Sequence, residues 1–307
     1  MGINLMIEGQ EDVTWAQWLA LADAAEDAGL EGLFRSDHYA SVQGRTERGS
    51  LDAWATLSAL AAVTEDILLG TMVSPTSFRH PSVLAKQVVT ADHVSGGRVQ
   101  LGIGAGWNEL EHRMYGFDFH DTSTRYDVLA EQLEIITRQW TEDAVDFSGT
   151  HYTLESCGAL PKPLGHIHLI MGGAAGPRGA RLAATYADEY NTTFPSIDAV
   201  TERRGRLDAA CEEAGRDPLP LSIMTGCILG EDDADVRRRA ERLMQISQAE
   251  GDVEGWLDGL RHEWVVGTVD QAQERLDAYR EAGVSRFMLQ HQLHDDLDMV
   301  ELMGRLR

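Results

Sequence analysis

Three segments carry residue types that could do chemistry. Asp37-His38 follows the apolar run Leu30–Ser36. A histidine there can take or give a proton near neutral pH, and the adjacent carboxylate can accept a ligand hydrogen bond or orient the loop. The second segment pairs Met72-Val73-Ser74-Pro75 with Gly102-Ile103-Gly104-Ala105-Gly106-Trp107, two run endings built from small or conformationally unusual residues. Such glycines either permit close packing or let a planar ring lie against the backbone, and Trp107 suits an aromatic wall or simple burial. The third is Met171-Gly172-Gly173-Ala174-Ala175-Gly176-Pro177-Arg178. Its glycine amides, the positive end of the following helix and Arg178 would together cradle a phosphate. It is neither a Gly-Lys-Ser/Thr phosphate loop nor a Gly-x-Gly-x-x-Gly fingerprint. Gly-rich turns are common, so this segment alone leaves packing and anion binding both open. Glu109, Glu111, His112 and Arg113 show no metal-ligand pattern, and His291 with His294 reads as solvated or as part of a pocket rim.

These groups need elements to position them. Short apolar runs alternate with amphipathic stretches along the chain, the pattern of βα units and a parallel sheet. The spacing predicts strands at Ile3–Ile7, Leu30–Ser36, Ile67–Val73, Val99–Gly104, His168–Met171, Glu189–Thr193, Pro220–Ile228 and Val284–Gln290. Thr14…Gln17 and Thr268…Gln271 have capping-box spacing at two helix starts. Asp143–Leu164 reads as an insertion with hairpin character at Val145–Tyr152, and a small helix near Val253–His262 as another. The expectation is an α/β fold, a closed (β/α)8 barrel with insertions after strands 4 and 7, in a single domain over residues 1–307. In such a barrel the strand ends gather Glu8, Ser36–His38, Met72–Ser74, Gly104–Trp107, Gly172-Gly173, Asn191–Phe194 and Gln290-His291 on one face.

Composition narrows the partners. A net charge of −24 and a pI near 4.7 argue against nucleic acid and against an anionic membrane surface. Cys157, Cys211 and Cys227 lie far apart with no CxxC, as in a reduced cytoplasmic protein. No apolar run approaches the roughly 18 residues of a membrane span. Met1 leads directly into the run Ile3–Ile7, so no signal peptide is expected. A small-molecule substrate is the partner class left.

Arg35-Ser-Asp-His-Tyr39, Leu69–Pro75, Phe78–Lys86, Ser95–Trp107, Glu111–Gly116, Gly172-Gly173 and Tyr186–Asn191 occur in an order that resembles the bacterial luciferase-like flavin and deazaflavin oxidoreductases, most closely the branch using coenzyme F420. The resemblance implies a TIM barrel holding a tricyclic ring at its mouth, with Asp37 against the ring and His38 near its reactive carbon. It implies a non-prolyl cis peptide near Met72–Val73 behind the ring. Met72, Val73, Ser74, Gly104, Ala105, Gly106 and Trp107 would line the pocket, and Gly172, Gly173, Ala174 and Arg178 would hold the cofactor phosphate. The implied reaction is hydride transfer between F420 and a small organic substrate, such as an enone, imine or carbonyl compound, in a homodimer. The alternative is an FMN-dependent monooxygenase using oxygen and a separate flavin reductase; a non-catalytic cofactor-binding paralogue is a further one. The sugar-phosphate-oxidising branch carries a glutamate near the Trp107 position and substrate-binding lysines. Here Lys86 and Lys162 are the only lysines. With Tyr39, Phe78, Trp107 and Phe194, that points to a more apolar substrate.

Overall fold

The apolar runs become buried strands and the amphipathic stretches become the helices that cover them. In the computed structural model, which describes residues 2–307, Met1 of the leader expectation lies outside the described residues. The chain begins with β1 (Ile3–Ile7), α1 (Trp15–Asp27), β2 (Gly32–Arg35), α2 (Ala53–Ala61), β3 (Leu68–Thr71), β4 (Ser74–Pro75), α3 (Pro81–Ser95) and β5 (Val99–Gly104). Next come α4 (Glu109–Tyr115), α5 (Thr122–Thr141), β6 (Val145–Ser148), β7 (Thr153–Cys157), β8 (His168–Gly172), α6 (Pro177–Tyr186), β9 (Glu189–Thr193) and α7 (Ile197–Ala214). The last part holds β10 (Leu221–Gly230), α8 (Asp233–Ser247), α9 (Val253–Leu260), β11 (Val265–Thr268), α10 (Val269–Glu281), β12 (Arg286–Gln290) and α11 (Leu297–Met303).

Strands β1, β2, β3, β5, β8, β9, β10 and β12 pair in parallel in that order, and β12 pairs back onto β1, closing an eight-stranded barrel. Both expected capping boxes form, at Thr14 and Thr268. The insertion after β5 includes the antiparallel β6–β7 hairpin. That after β10 contains α9 and a strand the sequence did not signal, β11, which pairs with the outer end of β10. Strand 3 is shorter than expected, with regular pairing stopping at Thr71; the Met72–Val73 peptide is cis, as the resemblance implied, and pairing resumes as β4 against Ile103 and Gly104. No helix among the described residues is long and apolar enough to cross a membrane.

The two-residue period of each strand sends alternate side chains into the barrel. The lowest layer is polar: Arg286 reaches Glu31 at 2.7 Å, Gln100 at 2.8 Å and Glu189 at 3.1 Å. Above it Met6, Phe34, Ile170, Met224 and Met288 form an apolar plug, with Met72 packed into the same cluster. The next inward positions on the same strands are Glu8, Ser36, Gly172 and Gln290. Period-two geometry therefore delivers them to the floor of whatever opens at the carboxyl ends.

Candidate active site at the mouth of the barrel

A cavity of about 670 Å³ occupies that end. Its wall takes residues from the end of every barrel strand: Glu8, Ser36 and His38, Met72 and Val73, Gly104 to Asn108, Gly172 and Gly173, Asn191, Thr193 and Phe194, Met224, and Gln290. That volume suits a small organic ligand or cofactor. Val73 explains much of the glycine pattern. A Cβ on Gly104 would come within 2.9 Å of Val73 Cγ2, and one on Gly172 within 2.9 Å of Val73 Cγ1. Gly102 is tighter still, with a Cβ 2.0 Å from the Thr71 carbonyl oxygen. The glycines thus seat the valine that follows the cis bond, and Val73 forms part of the cavity wall.

His38 lines the cavity from β2 with its side chain 14% exposed, while its partner Glu111 is fully buried. Nδ1 of His38 lies 2.7 Å from Glu111 Oε2. Glu111 Oε1 accepts the amide of Tyr39 and, at 3.1 Å, that of Ala40. A carboxylate only accepts, so Nδ1 carries the proton and Nε2 is the nitrogen left for exchange. Burial disfavours the imidazolium, but the Glu111 hydrogen bond and charge, reinforced by Glu8 and Asp37, hold the His38 pKa above the ordinary value. Sequence reasoning passed over Glu111. Its signal was position: Asn108, Glu111 and His112 are the buried residues around the start of a short helix otherwise open to solvent.

Asp37 is not part of the cavity wall. Its carboxylate is 1% exposed, accepts Ser74 Oγ at 2.6 Å and pairs with Arg79 at 2.5 Å. Trp54 Nε1 donates to Ser74 Oγ at 3.0 Å, and Arg79 also reaches Asp52 at 2.7 Å. Asp37 Oδ1 is buried without a partner. Asp37 and Ser74 thus form a network that anchors the β2 and β3 ends, rather than lining positions. Tyr39 also leaves the wall: it packs on Phe78 at 5.0 Å and donates to Asp52 at 3.1 Å. Phe78, Phe194 and Trp107 do line the cavity, with Trp107 edge-on to His38 at 5.8 Å and 64% exposed.

The loop after β8 divides in the same way. Gly172 and Gly173 line the cavity, whereas Ala174 is exposed and Arg178 pairs with Asp127 and donates to the Ser123 carbonyl at 3.0 Å. Two loop amides are engaged, Gly173 N with the Asn191 carbonyl and Ala175 N with Tyr190 Oη. Helix α6 starts at Pro177, and its N-cap residue Gly176 provides no side-chain cap. A cation missed in the sequence stands nearby: Arg125 on α5 lines the cavity beside Tyr126. It donates to the His120 carbonyl at 2.8 Å, has a buried unpartnered Nε, and makes no carboxylate pair among the described residues. His291 corrects an expectation. It is fully buried with both ring nitrogens unpartnered, because it alternates with the inward-facing Gln290 and points into the packing outside the barrel. Burial, then the neighbouring His294, lowers its pKa to about 3.

Known proteins share this architecture. The luciferase-like monooxygenase profile matches residues 2–286. Pyrimidine monooxygenase RutA of Stutzerimonas stutzeri is 28% identical over 249 residues, 78% of this chain and 67% of that protein. An F420-dependent glucose-6-phosphate dehydrogenase of Microbacterium testaceum is 33% identical over 197 residues, 62% of this chain and 57% of that protein. An F420-dependent secondary alcohol dehydrogenase, solved with an F420–acetone adduct, superposes with a TM-score of 0.84 at 20% identity, covering 100% of this chain and 98% of that one. The oxygenating constituent of 3,6-diketocamphane monooxygenase from Pseudomonas putida, solved with FMN, gives a TM-score of 0.78 at 19% identity, with 99% and 98% coverage. The last two establish a common fold. With the profile running from residue 2 to residue 286, the chain belongs to the luciferase-like monooxygenase family.

Proposed function

We propose that this oxidoreductase of the luciferase-like family transfers hydride between coenzyme F420 and a small organic substrate. The observation that carries the reading is the convergence on one cavity of the glycine-seated Val73 and the Glu111-oriented His38. The residues fit a ring with an anionic tail. Val73 and the flanking Gly104, Ala105 and Gly106 would support the ring, with Trp107 at its edge. Arg125, lacking a carboxylate partner, and the uncapped start of α6 behind Gly172 and Gly173 would hold the phosphate. Arg178 and Ala174 would serve that end only after Arg178 leaves Asp127.

When bound, the deazaflavin supplies a ring carbon that accepts or donates hydride. The chain's own contribution is placement and proton handling. His38 Nε2 would exchange a proton with the substrate while Glu111 steadies the imidazolium, and the apolar wall of Met72, Phe78, Phe194 and Met224 would exclude water. Asp37, through Ser74 and Arg79, holds the two strand ends on which His38 and Val73 stand. Lys86 and Lys162 donate to main-chain carbonyls, of Leu160 and of Gln139, Glu142 and Gly158, which supports a substrate without a phosphate.

RutA and the FMN-bound structure favour a second reading, an FMN-dependent monooxygenase with a partner reductase. Fluorescence titration of purified protein with F420 and with FMN separates the two. Micromolar F420 binding with much weaker FMN binding supports the proposal; the reverse order transfers it to the monooxygenase reading. His38→Ala should leave cofactor affinity nearly unchanged and lower turnover by about 10²–10⁴. Unchanged turnover removes His38 from the reaction.

A further inference from the structure

One charged group of this cavity favours the His38 imidazolium through space but has no assigned part in binding a ligand. Glu8, at the end of β1, is 9% exposed and lines the cavity. Gln290 Nε2 donates to its Oε1 and Gln10 Nε2 to its Oε2. Gln290 is held in turn by Gln292 at 3.0 Å, and Gln10 by Ser36 Oγ. This relay of neutral amides fixes the carboxylate without neutralising it, and each oxygen keeps a free lone pair. The cations on that side are already engaged. Arg35 donates to the carbonyls of Ser36, Leu51 and Asp52, so its charge offsets part of that of Glu8 through space without a direct bond, and Arg48 pairs with Glu11. Among the described residues Glu8 makes no ion pair. A desolvated carboxylate is costly unless matched by positive charge, so a rigid one facing a ligand cavity is a preformed partner for a cation.

Two further observations agree. Beyond Glu8 lies a smaller cavity of about 210 Å³ that shares Glu8, Gln43 and Gln292 with the first. Its border holds Glu11 paired with Arg48, Asp295 paired with Arg242, and Asp12, so Asp12 adds to the negative potential of Glu8 there. In the ring order, β1 stands diametrically opposite β8. Glu8 therefore faces the cavity across from Gly172, Gly173 and the α6 start, where an anionic cofactor tail is proposed. The site is polarised, anion-accepting at one rim and cation-accepting at the other.

We infer that Glu8 selects a substrate carrying a cationic nitrogen, an ammonium or iminium, seated between the Gln290–Gln10 amide relay and the apolar wall. This rests on the hydride-transfer reading and narrows its enone, imine and carbonyl compounds to nitrogen cations. An iminium takes hydride at carbon. An ammonium passes a proton to His38 before its α-carbon gives hydride to the oxidised cofactor and leaves the iminium. The test uses a charge series of one shape: benzylamine, benzyl alcohol and benzoate, titrated into wild type and Glu8→Gln by calorimetry near neutral pH. Wild type should bind the ammonium about tenfold or more tighter than the alcohol, and benzoate least. In Glu8→Gln the ammonium should fall to the level of the alcohol, the alcohol being unchanged. Glu8→Asp, which keeps the charge, should retain part of the preference. An ammonium that binds no better than the alcohol to wild type, or binds undetectably, overturns the inference. So does a preference that survives in Glu8→Gln. F420 and FMN titrations of the same samples keep the two ideas apart. Loss of both cofactors with the ammonium preference intact defeats the redox reading, whereas cofactor binding without that preference defeats only the assignment of Glu8.

Discussion

Replacing Glu111 with Gln would dissect the His38 site without removing its shape. The glutamine oxygen can still accept the Tyr39 and Ala40 amides. Its nitrogen, however, would face His38 Nδ1 at the 2.7 Å where a carboxylate oxygen stood. A donor there makes Nδ1 an acceptor and moves the ring proton to Nε2, the wrong tautomer for taking a proton in the cavity. Turnover should drop about 10²–10⁴-fold, the range expected for losing an oriented acid–base histidine. Exchanging one charge-assisted hydrogen bond for a neutral one costs about 1–2 kcal/mol of stability, less than a typical total of about 5–15 kcal/mol, so the variant should fold. The Glu111 charge opposes the burial that pushes His38 down. The pH limb assigned to His38 should therefore lie above the ordinary imidazole value in wild type and move to lower pH in the variant. For stability the raised folded pKa means that the pair contributes fully below the unfolded pKa, and that the contribution is lost as pH rises through the folded one. The wild-type advantage over Glu111→Gln should narrow on going alkaline. Nitrogen-15 NMR of the imidazole reports the tautomer and steady-state cofactor oxidation reports turnover. Wild-type turnover with an unchanged Nδ1–H tautomer would refute the reasoning.

Gly104→Ala should weaken cofactor binding by about tenfold, because a new Cβ 2.9 Å from Val73 Cγ2 must push the wall inward; equilibrium titration checks it. Arg125→Gln should weaken cofactor binding by about 10–100-fold and flatten its salt dependence, while Arg178→Gln, whose arginine is already paired with Asp127, should do less. His291 stays neutral in the fold with its pKa lowered to about 3, so the unfolded chain binds the extra proton. Stability should therefore fall as pH drops from about 6.5, by about 1.4 kcal/mol per unit from this group, and denaturant melts of His291→Leu should lose that part of the slope.

Fold and site were unequally legible in the sequence. The barrel was readable because its βα units declare themselves locally, through short apolar runs and, at several helices such as α1, α3 and α7, a cap and a glycine stop. Strand β11 was not, since Val265–Thr268 is a short buried run that pairs only with the overlong end of β10. The lining positions followed from counting to strand ends, as Glu8, His38, Val73, Gly104 and Gly172 show. Direction along a loop did not follow. Asp37 and Ser74 sit beside lining residues yet turn to Arg79 and Trp54. Glu111 and Arg125 reach the site from helices far along the chain, and no spacing rule joins them to His38 or Gly172. His291 was misread for a related reason. Leaving a strand suggested solvent, but the outer face of β12 is covered.

A crystal structure of the protein grown with F420 addresses the central claim most directly. The ring should lie against Val73 between Gly104 and Gly172, with His38 Nε2 open to the substrate side and the phosphate near Arg125 and the α6 start. Density for the cofactor elsewhere, or an empty barrel mouth at saturating concentration, would contradict it.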